Sequence, residues 1–329
     1  MENRKKRRIS GHSSPAYCVE AGVSCPAASM KSELKMGKGE ALIILAGIFW
    51  GSMGIFVRRL AGYGFSSIQI VAIRVTLAAA GFCGILLITD RRGFRISLRD
   101  IPLFLGLGFG SILFFTVCYF TAISMMSLSA AAILLYTSPI WIMLMSSVFF
   151  REKINGMKLA ALALAFGGCV LVCGFSGTGV SLGGVLIGLG SGIGYALYSI
   201  LGTIALRRYS SYTVTAYTFL FASAGALAIC SPADMISKFY AAPAALPLAV
   251  LCVLTALITA VIPFLSYTLG LETVEAGRAG ILATVEPMVA TVIGAAVFSE
   301  PLSVLSLIGI AMIFSSVVIL NVKRHEPET

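Results

Sequence analysis

Long apolar runs, each about the length of a bilayer crossing, follow one another through this chain with only short polar segments between them. A helix needs about 20 predominantly apolar residues to cross roughly 30 Å of hydrocarbon. The sequence is 58% hydrophobic and only 12% charged, which excludes an ordinary soluble domain. We therefore predict an all-α integral membrane protein with ten transmembrane helices. They are called spans 1 to 10 and cover residues 41–58, 67–89, 101–123, 128–149, 156–174, 181–201, 212–230, 246–270, 276–298 and 301–321.

The positive charges predict the orientation of these spans. If both termini are cytoplasmic, the cytoplasmic segments hold 20 of the 24 Lys and Arg residues, and three lie on the other side. Such a bias follows the positive-inside rule and predicts a multi-pass protein of the cell membrane with both termini in the cytoplasm. The net charge of +10 therefore indicates topology and not a nucleic-acid partner.

The two ends of the chain are expected to lie outside the membrane. Residues 1–40 are basic and lack an apolar signal-peptide core, so we predict a disordered cytoplasmic tail. A start at Met30 or Met36 would shorten this tail and still give a basic lead into span 1. Residues 322–329 are predicted to form a second, short cytoplasmic tail.

The middle of span 9 carries a carboxylate, Glu286, followed directly by Pro287. A charge at bilayer depth costs roughly 2.5–3.5 kcal/mol on insertion scales, and such residues commonly mark solute or proton pathways. The proline leaves the carbonyl of Ala283 without its usual helical donor. We therefore predict a helix break and a polar pathway here. The alternative is a kinked packing helix with a protonated, locally bonded glutamate.

Further candidates for a solute cavity are a guanidinium, several aromatic residues and a second mid-span proline. Arg74 lies about 10 Å inside span 2 at 1.5 Å per residue, and either faces the bundle interior or extends outward to water. Trp50 of span 1 is flanked by glycine and is either a packing residue or a cavity wall. The remaining candidates are Tyr136, Ser138 and the helix-breaking Pro139 in span 4, and Tyr195 and Tyr198 in span 6.

A spacing of 148 residues relates the two halves of the sequence. Tyr119, Pro139 and Glu152 recur at this offset as Tyr267, Pro287 and Glu300. The halves, residues 41–174 and 181–321, hold five spans each, and an odd number places the second half upside down in the membrane. Inverted repeats with broken helices near the bilayer centre are an architecture of secondary transporters. At this offset Ser138 corresponds to Glu286, so the two sides of the predicted site differ in charge.

The same segments identify a family resemblance. FWGSMGIFVRRL, AIRVTLAAA and YFTAISMMSLSAAAILLYTSPIW with FFREKI, then YTLGLETVEAGRAGILATVEPMVA with VFSEPL, resemble the EamA-type transporters of the drug/metabolite transporter superfamily. The resemblance covers residues 40–322 and implies export, less often import, of small metabolites such as amino acids by alternating access. It carries over to Trp50, Arg74, Tyr136, Ser138, Pro139, Glu286 and Pro287.

Two roles for Glu286 are compatible with the sequence. It is the only acidic residue that we place deep in a span, and both histidines lie in the tails, which makes it the candidate for proton coupling. In uncoupled transport it would instead bind a substrate amine, while Arg74 binds a carboxylate. The expected partners are thus a small solute, protons in the first case, and lipid. A homodimer is a further candidate assembly, and the sequence does not determine the oligomeric state.

Other classes of function have little support in the sequence. No enzyme motif and no channel-filter sequence is visible, and no cofactor is predicted. Cys169 and Cys173 lie one turn apart on span 5, but the sequence shows no set of metal-ligand spacing around them. A non-transporting scaffold or a channel remains the alternative to a carrier.

Overall fold

The computed structural model describes residues 36–126, 128–174, 181–241, 243–299 and 302–321. Most of the two predicted tails lies outside these residues, as does Glu300. The described chain is helical, contains no strand, and has ten helices that are long and apolar enough to cross a membrane. This confirms the predicted fold class. The spans are Lys38–Gly62, Ser67–Thr89, Leu98–Met125, Ala130–Phe149, Gly156–Cys173, Leu182–Leu206, Ser211–Ile229, Ala245–Leu271, Ala276–Phe298 and Val304–Asn321.

Spans 4 and 9 are each interrupted near the middle. Helix 4a, Leu128–Leu135, is followed by helix 4b, Ser138–Phe149. Helix 9a, Ala276–Leu282, is followed by helix 9b, Val285–Phe298. Each interruption is two residues long and lies just before a proline, as expected because proline cannot donate to the preceding turn.

Spans 3 and 8 share another irregularity. Each contains π-helical turns, over Gly106–Leu113 and Leu257–Val261 respectively. The offset of 148 residues places 106–113 on 254–261, which contains the second π-helical segment. Such segments are frequent at functional sites. Their matched positions support the predicted repeat.

The charged loops divide the molecule into two ends. We call the end that carries residues 90–97, 150–155, 207–210 and 272–275 the basic end, and the other the opposite end. At the basic end Arg208 of the turn before span 7 forms an ion pair with Asp100 of span 3, with Nη1 2.8 Å from Oδ1. Tyr209 donates to the second oxygen of that carboxylate at 2.6 Å. These contacts connect the two halves of the chain.

The main packing contacts also join one half of the chain to the other. Span 1 packs on spans 8 and 9, span 6 on spans 3 and 4, span 2 on span 7, and span 5 on span 10. Small residues allow the close approach, as is usual for helices in lipid. A Cβ atom on Gly168 would lie 2.7 Å from the carbonyl oxygen of Gly309, and the reverse distance is the same.

The segment between spans 7 and 8 contains the helix Pro232–Ala241, in which apolar residues recur at helical spacing. Met235 and Phe239 pack against a small core at the opposite end, which includes Phe65, Ile73 and Cys252. A cavity of about 350 Å³ lies between this helix and spans 2, 7 and 8.

Candidate functional site

The two helix breaks have the same local chemistry. In each break a threonine hydroxyl adds a hydrogen bond to the end of the preceding half-helix: Thr137 Oγ1 donates to the carbonyl of Leu134, and Thr284 Oγ1 to that of Ile281, both at 2.6 Å. The predicted open carbonyl of Ala283 is not open, because the Glu286 N–H donates to it at 3.0 Å in a tighter turn. The carbonyls of Leu134, Ile281 and Ala283 therefore have donors at the breaks, as the apolar surroundings require.

Glu286 lies in the first turn of helix 9b. Its carboxylate is therefore close to the positive end of that half-helix, where a negative charge is favoured. The residue is half-buried, so a water-sized sphere reaches it at this depth. The hydroxyl of Tyr136, at the other helix break, is a polar neighbour of this carboxylate. Both interrupted spans thus contribute to one polar site, which we call the Glu286 site.

Arg74 is the cation of this site. It is 9% exposed and interacts electrostatically with Glu286. Among the described residues, no carboxylate lies within the 4.0 Å of an ion pair with it, and its Nε has no hydrogen-bond partner. Its Nη1 instead contacts Sδ of Met53 at 2.8 Å, and a thioether is only a weak acceptor. A buried guanidinium without a close counter-ion is costly unless something completes its shell.

Tyrosines and a thiol complete the surroundings of Glu286. Tyr119, Tyr136, Tyr195 and Cys173 each lie within electrostatic reach of the carboxylate, and each is half-buried. These residues come from spans 3, 4, 6 and 5. The site is therefore a meeting point of elements from both halves.

An aromatic cluster lies beside the site. Trp50 is 6% exposed, and its ring centroid is 5.0 Å from that of Phe264, 5.4 Å from Tyr267 and 6.1 Å from Tyr195. The cluster encloses a cavity of about 10 Å³ that is lined also by Ser111, whose Oγ has no hydrogen-bond partner. That volume is close to the minimum for one water molecule.

The structure brings most of the predicted residues near one another, but only some of them belong to the Glu286 site. Glu286, Arg74, Tyr136 and Tyr195 share the site. Trp50 belongs to the aromatic cluster and is in contact with the site through Tyr195. The remaining two are buried: Tyr198 is bonded to Thr268 at 2.7 Å, and Ser138 begins helix 4b.

Several contributors were missed in the sequence. Tyr119 and Tyr267 were noticed only as markers of the repeat. Met53 and Ser111 gave no signal, because an apolar or small residue in a span is ordinary. In the described part of the chain no group of three or more His, Cys, Asp or Glu side chains is arranged to hold a metal ion.

Comparison with known proteins identifies the family. The model of the EamA-like transporter family matches residues 37–174 and again residues 182–322. The chain belongs to the EamA-like transporter family. It is thus a multi-pass membrane transporter of the drug/metabolite transporter superfamily, and not an enzyme.

Relatives in this EamA-like family are named as transporters. An uncharacterized transporter of Archaeoglobus fulgidus is 29% identical over 287 residues, covering 86% of this chain and 96% of the relative. The pseudopaline exporter CntI of Pseudomonas aeruginosa is 28% identical over 174 residues, or 53% of this chain and 58% of the relative. A crystal structure aligns with a TM-score of 0.71 at 16% identity, covering 86% of this chain and 96% of that one, and supports the fold alone.

Proposed function

We propose that this EamA-like protein is a secondary transporter that exports a small, amino-acid-like metabolite by alternating access, with the Glu286 site as its binding site. Export is supported by the name of one relative, the pseudopaline exporter, and by the family resemblance. The two helix breaks support the position of the site, since transporters bind solutes where discontinuous helices meet near the bilayer centre.

One observation carries the proposal: Arg74 and Glu286 have opposite charges and share one site, yet no ion pair joins them. A solute with both a carboxylate and an amine fits between such groups, because each of its charges meets the opposite charge on the protein. The carboxylate would take the donors that Arg74 leaves unused, and charge-assisted bonds of this kind are about twice as strong as neutral ones. The amine would bind Glu286.

Proton coupling is the second role that we propose for Glu286. Within the described residues it is the only Asp or Glu in the interior of a span, and no described residue is a histidine. Its partial accessibility supports exchange of a proton with water, and the hydroxyl of Tyr136 supplies a polar neighbour. The solute amine and the proton would then compete for one carboxylate, which is a simple means of coupling their movements.

We further propose that the basic end faces the cytoplasm of a cell-membrane protein. The described Lys and Arg residues of the loops lie mainly at that end, and such a bias normally marks the cytoplasmic side. Residues 279–285 of span 9, on the basic-end side of Glu286, are all buried, while most residues after Pro287 are half-buried or exposed. In this proposal the structure corresponds to a state that is closed toward the cytoplasm.

The test compares metabolites inside and outside cells that carry the intact protein, an empty vector, or Glu286→Gln. A matched control is Glu272→Gln, since Glu272 is an exposed carboxylate that bonds Ser211 at the basic end. We expect one class of amino-acid-like compounds to accumulate outside only with the intact protein and the control variant. Equal pools in all arms would overturn export.

The same cells separate the two roles of the glutamate. If Glu286 is an essential amine ligand, Glu286→Gln should export nothing at any pH. If Glu286 only carries the proton, the variant should keep residual export that no longer depends on pH, provided that it reaches the membrane at the normal level. Full, pH-dependent export by that variant would exclude Glu286 as the proton carrier and as an essential amine ligand.

A further inference from the structure

Charged side chains connect the two halves of the chain directly beneath the Glu286 site, at the basic end. Glu152, which follows span 4, accepts hydrogen bonds from the backbone N–H groups of Ala276 at 3.0 Å and Gly277 at 3.3 Å. These residues begin helix 9a, whose first N–H groups have no partner within the helix. A carboxylate of the first half therefore caps the half-helix that leads to Glu286 in the second.

Lys158 reinforces this cap. Its ammonium forms an ion pair with Glu275, the residue that precedes helix 9a, and its Nζ is 3.9 Å from Oε2 of Glu152. Lys158 is buried, so its interactions are screened by water much less than those of a surface pair. Without this cation two carboxylates would face each other across the boundary between the halves.

Arg278 anchors the other side of helix 9a. Its Nη2 lies 3.2 Å from Oε1 of Glu40 in span 1, and donates to the carbonyl of Leu320 at 2.6 Å and to Oδ1 of Asn321 at 3.2 Å. Helix 9a is therefore held by span 1, by the connection between spans 4 and 5, and by span 10. All of these contacts are at the basic end.

The packing around helix 9a closes that end. Ile281 and Leu282 are fully buried. A Cβ atom on Gly277 would lie 3.0 Å from Oε2 of Glu152 and 3.1 Å from Oγ of Ser146, which leaves no room for a path between them. In helix 9b, by contrast, only Val285, Pro287 and Gly294 are buried, and the other residues are half-buried or exposed. The basic-end side of the Glu286 site is thus enclosed by the element that the charged residues hold.

We propose that Glu40, Glu152, Lys158, Glu275 and Arg278 form a charge latch that keeps helix 9a against the first half and closes the Glu286 site at the basic end. Opening of the site toward that end requires the latch to separate, so its strength sets the ratio of the two states. The inference rests on the proposed alternating access, but its test does not require a known solute. These residues are positioning residues: none of them lies in the Glu286 site.

The experiment uses the full chain in lipid nanodiscs, where a water-soluble maleimide reaches both ends. Two single-cysteine forms report on the two sides of the latch. One keeps only Cys173, which is half-buried near Glu286, and the other has only Ser146→Cys, at a fully buried position beside Gly277. Labelling rates are measured with the native latch and with Lys158→Met.

Loss of Lys158 should increase labelling of Ser146→Cys about tenfold or more, because loss of a charge-assisted bond changes an equilibrium by at least that factor. Labelling of Cys173 should stay the same or fall, since its accessible state is already the major one. Lys153→Met is the matched control: it removes the same charge from an exposed position in the same connection and should change neither rate.

Exchanging the charges of Lys158 and Glu275 tests whether these two side chains interact directly. Lys158→Glu should increase Ser146→Cys labelling, and adding Glu275→Lys should restore the slow rate. If both cysteines become more reactive in Lys158→Met, the charged cluster only stabilises the fold and the latch proposal is wrong. If neither labelling rate changes, the latch proposal is also wrong. If Ser146→Cys labels faster in Lys158→Met while Cys173 does not, but the protein exports nothing, the latch is retained and the proposed function is rejected. If the protein exports its solute but Lys158→Met does not change labelling in this way, the proposed function is retained and the latch is rejected.

Discussion

Gly51 of span 1 lies so close to Glu286 that a Cβ atom on Gly51 would be 2.7 Å from the carbonyl oxygen of Glu286. The same atom would be 2.8 Å from Cβ of Val289, so neither backbone nor side chain leaves room for it. Span 1 therefore supports helix 9b just after the break, and the shape of the break depends on a residue that has no side chain.

Gly51→Ala should destabilise the protein for this reason. Overpacking typically costs about 1–3 kcal/mol, against about 1 kcal/mol gained by replacing glycine with alanine in a helix. Gly54→Ala is the matched control, because a Cβ there would meet nothing within 4 Å and only the gain applies. Thermal unfolding of the two purified variants measures the difference. A Gly51→Ala protein as stable as Gly54→Ala would contradict the close packing.

The prediction for Arg74 concerns export and not stability. Arg74→Gln removes the charge that has no close counter-ion, so we expect export to fall roughly tenfold or more, as for loss of a charge-assisted hydrogen bond. Met53→Leu keeps the volume and removes the sulfur contact, and should retain most of the export. The measurement is the rate of appearance of the exported compound at equal protein level. Equal losses in both variants would indicate a packing role for Arg74.

Which features of the fold and of the Glu286 site the sequence predicts depends on whether they arise from local or from long-range interactions. The spans were predicted to within a few residues, because bilayer thickness imposes a length on every apolar run. The breaks followed from Pro139 and Pro287, since a missing N–H is a local property. The charge of the site followed from Glu286 and Arg74, because charged residues at that depth are rare.

The sequence did not predict which groups would be neighbours. Glu152 was noticed only as a marker of the repeat, but its bonds to the start of helix 9a and the ion pair of Lys158 with Glu275 depend on how spans 4, 5 and 9 pack. Trp50 was left open between packing and cavity wall, and only the positions of Phe264 and Tyr267 show that its ring is enclosed. Such contacts join residues more than 100 positions apart, where periodicity carries no information.

A buried hydroxyl pair offers a test of the aromatic cluster. Tyr267 and Ser199 share a hydrogen bond of 2.7 Å, and both side chains are almost fully buried. Tyr267→Phe leaves Ser199 without its partner and should cost about 1–3 kcal/mol, the penalty of an unsatisfied buried polar group. Adding Ser199→Ala removes that group, so the double variant should be more stable than the sum of the single variants predicts. Strict additivity in thermal or denaturant unfolding would show that the pair is not coupled.

The helix Pro232–Ala241 predicts a response to acid at the opposite end. Asp234 accepts from Gln69 of span 2 at 2.7 Å and forms an ion pair with Lys238 at 2.6 Å. The bonds to Lys238 and Gln69 lower the pKa of Asp234 below its ordinary value of 3.8. A carboxylate with a lowered folded-state pKa stabilises the docked helix above its ordinary pKa, and that contribution is lost as the pH falls through the lowered value.

We therefore expect the helix to loosen only below about pH 4, the ordinary range of an aspartate. Cys252 reports on this, because it is 5% exposed and lines the cavity beneath Met235 and Phe239. A pyridyl disulfide, which reacts with thiols in acid, should label Cys252 faster below this pH in a chain that keeps only this cysteine. Asp234→Asn cannot form the ion pair, so its labelling should already be fast at neutral pH and show no acid step. An identical acid step in that variant would assign the loosening to another group.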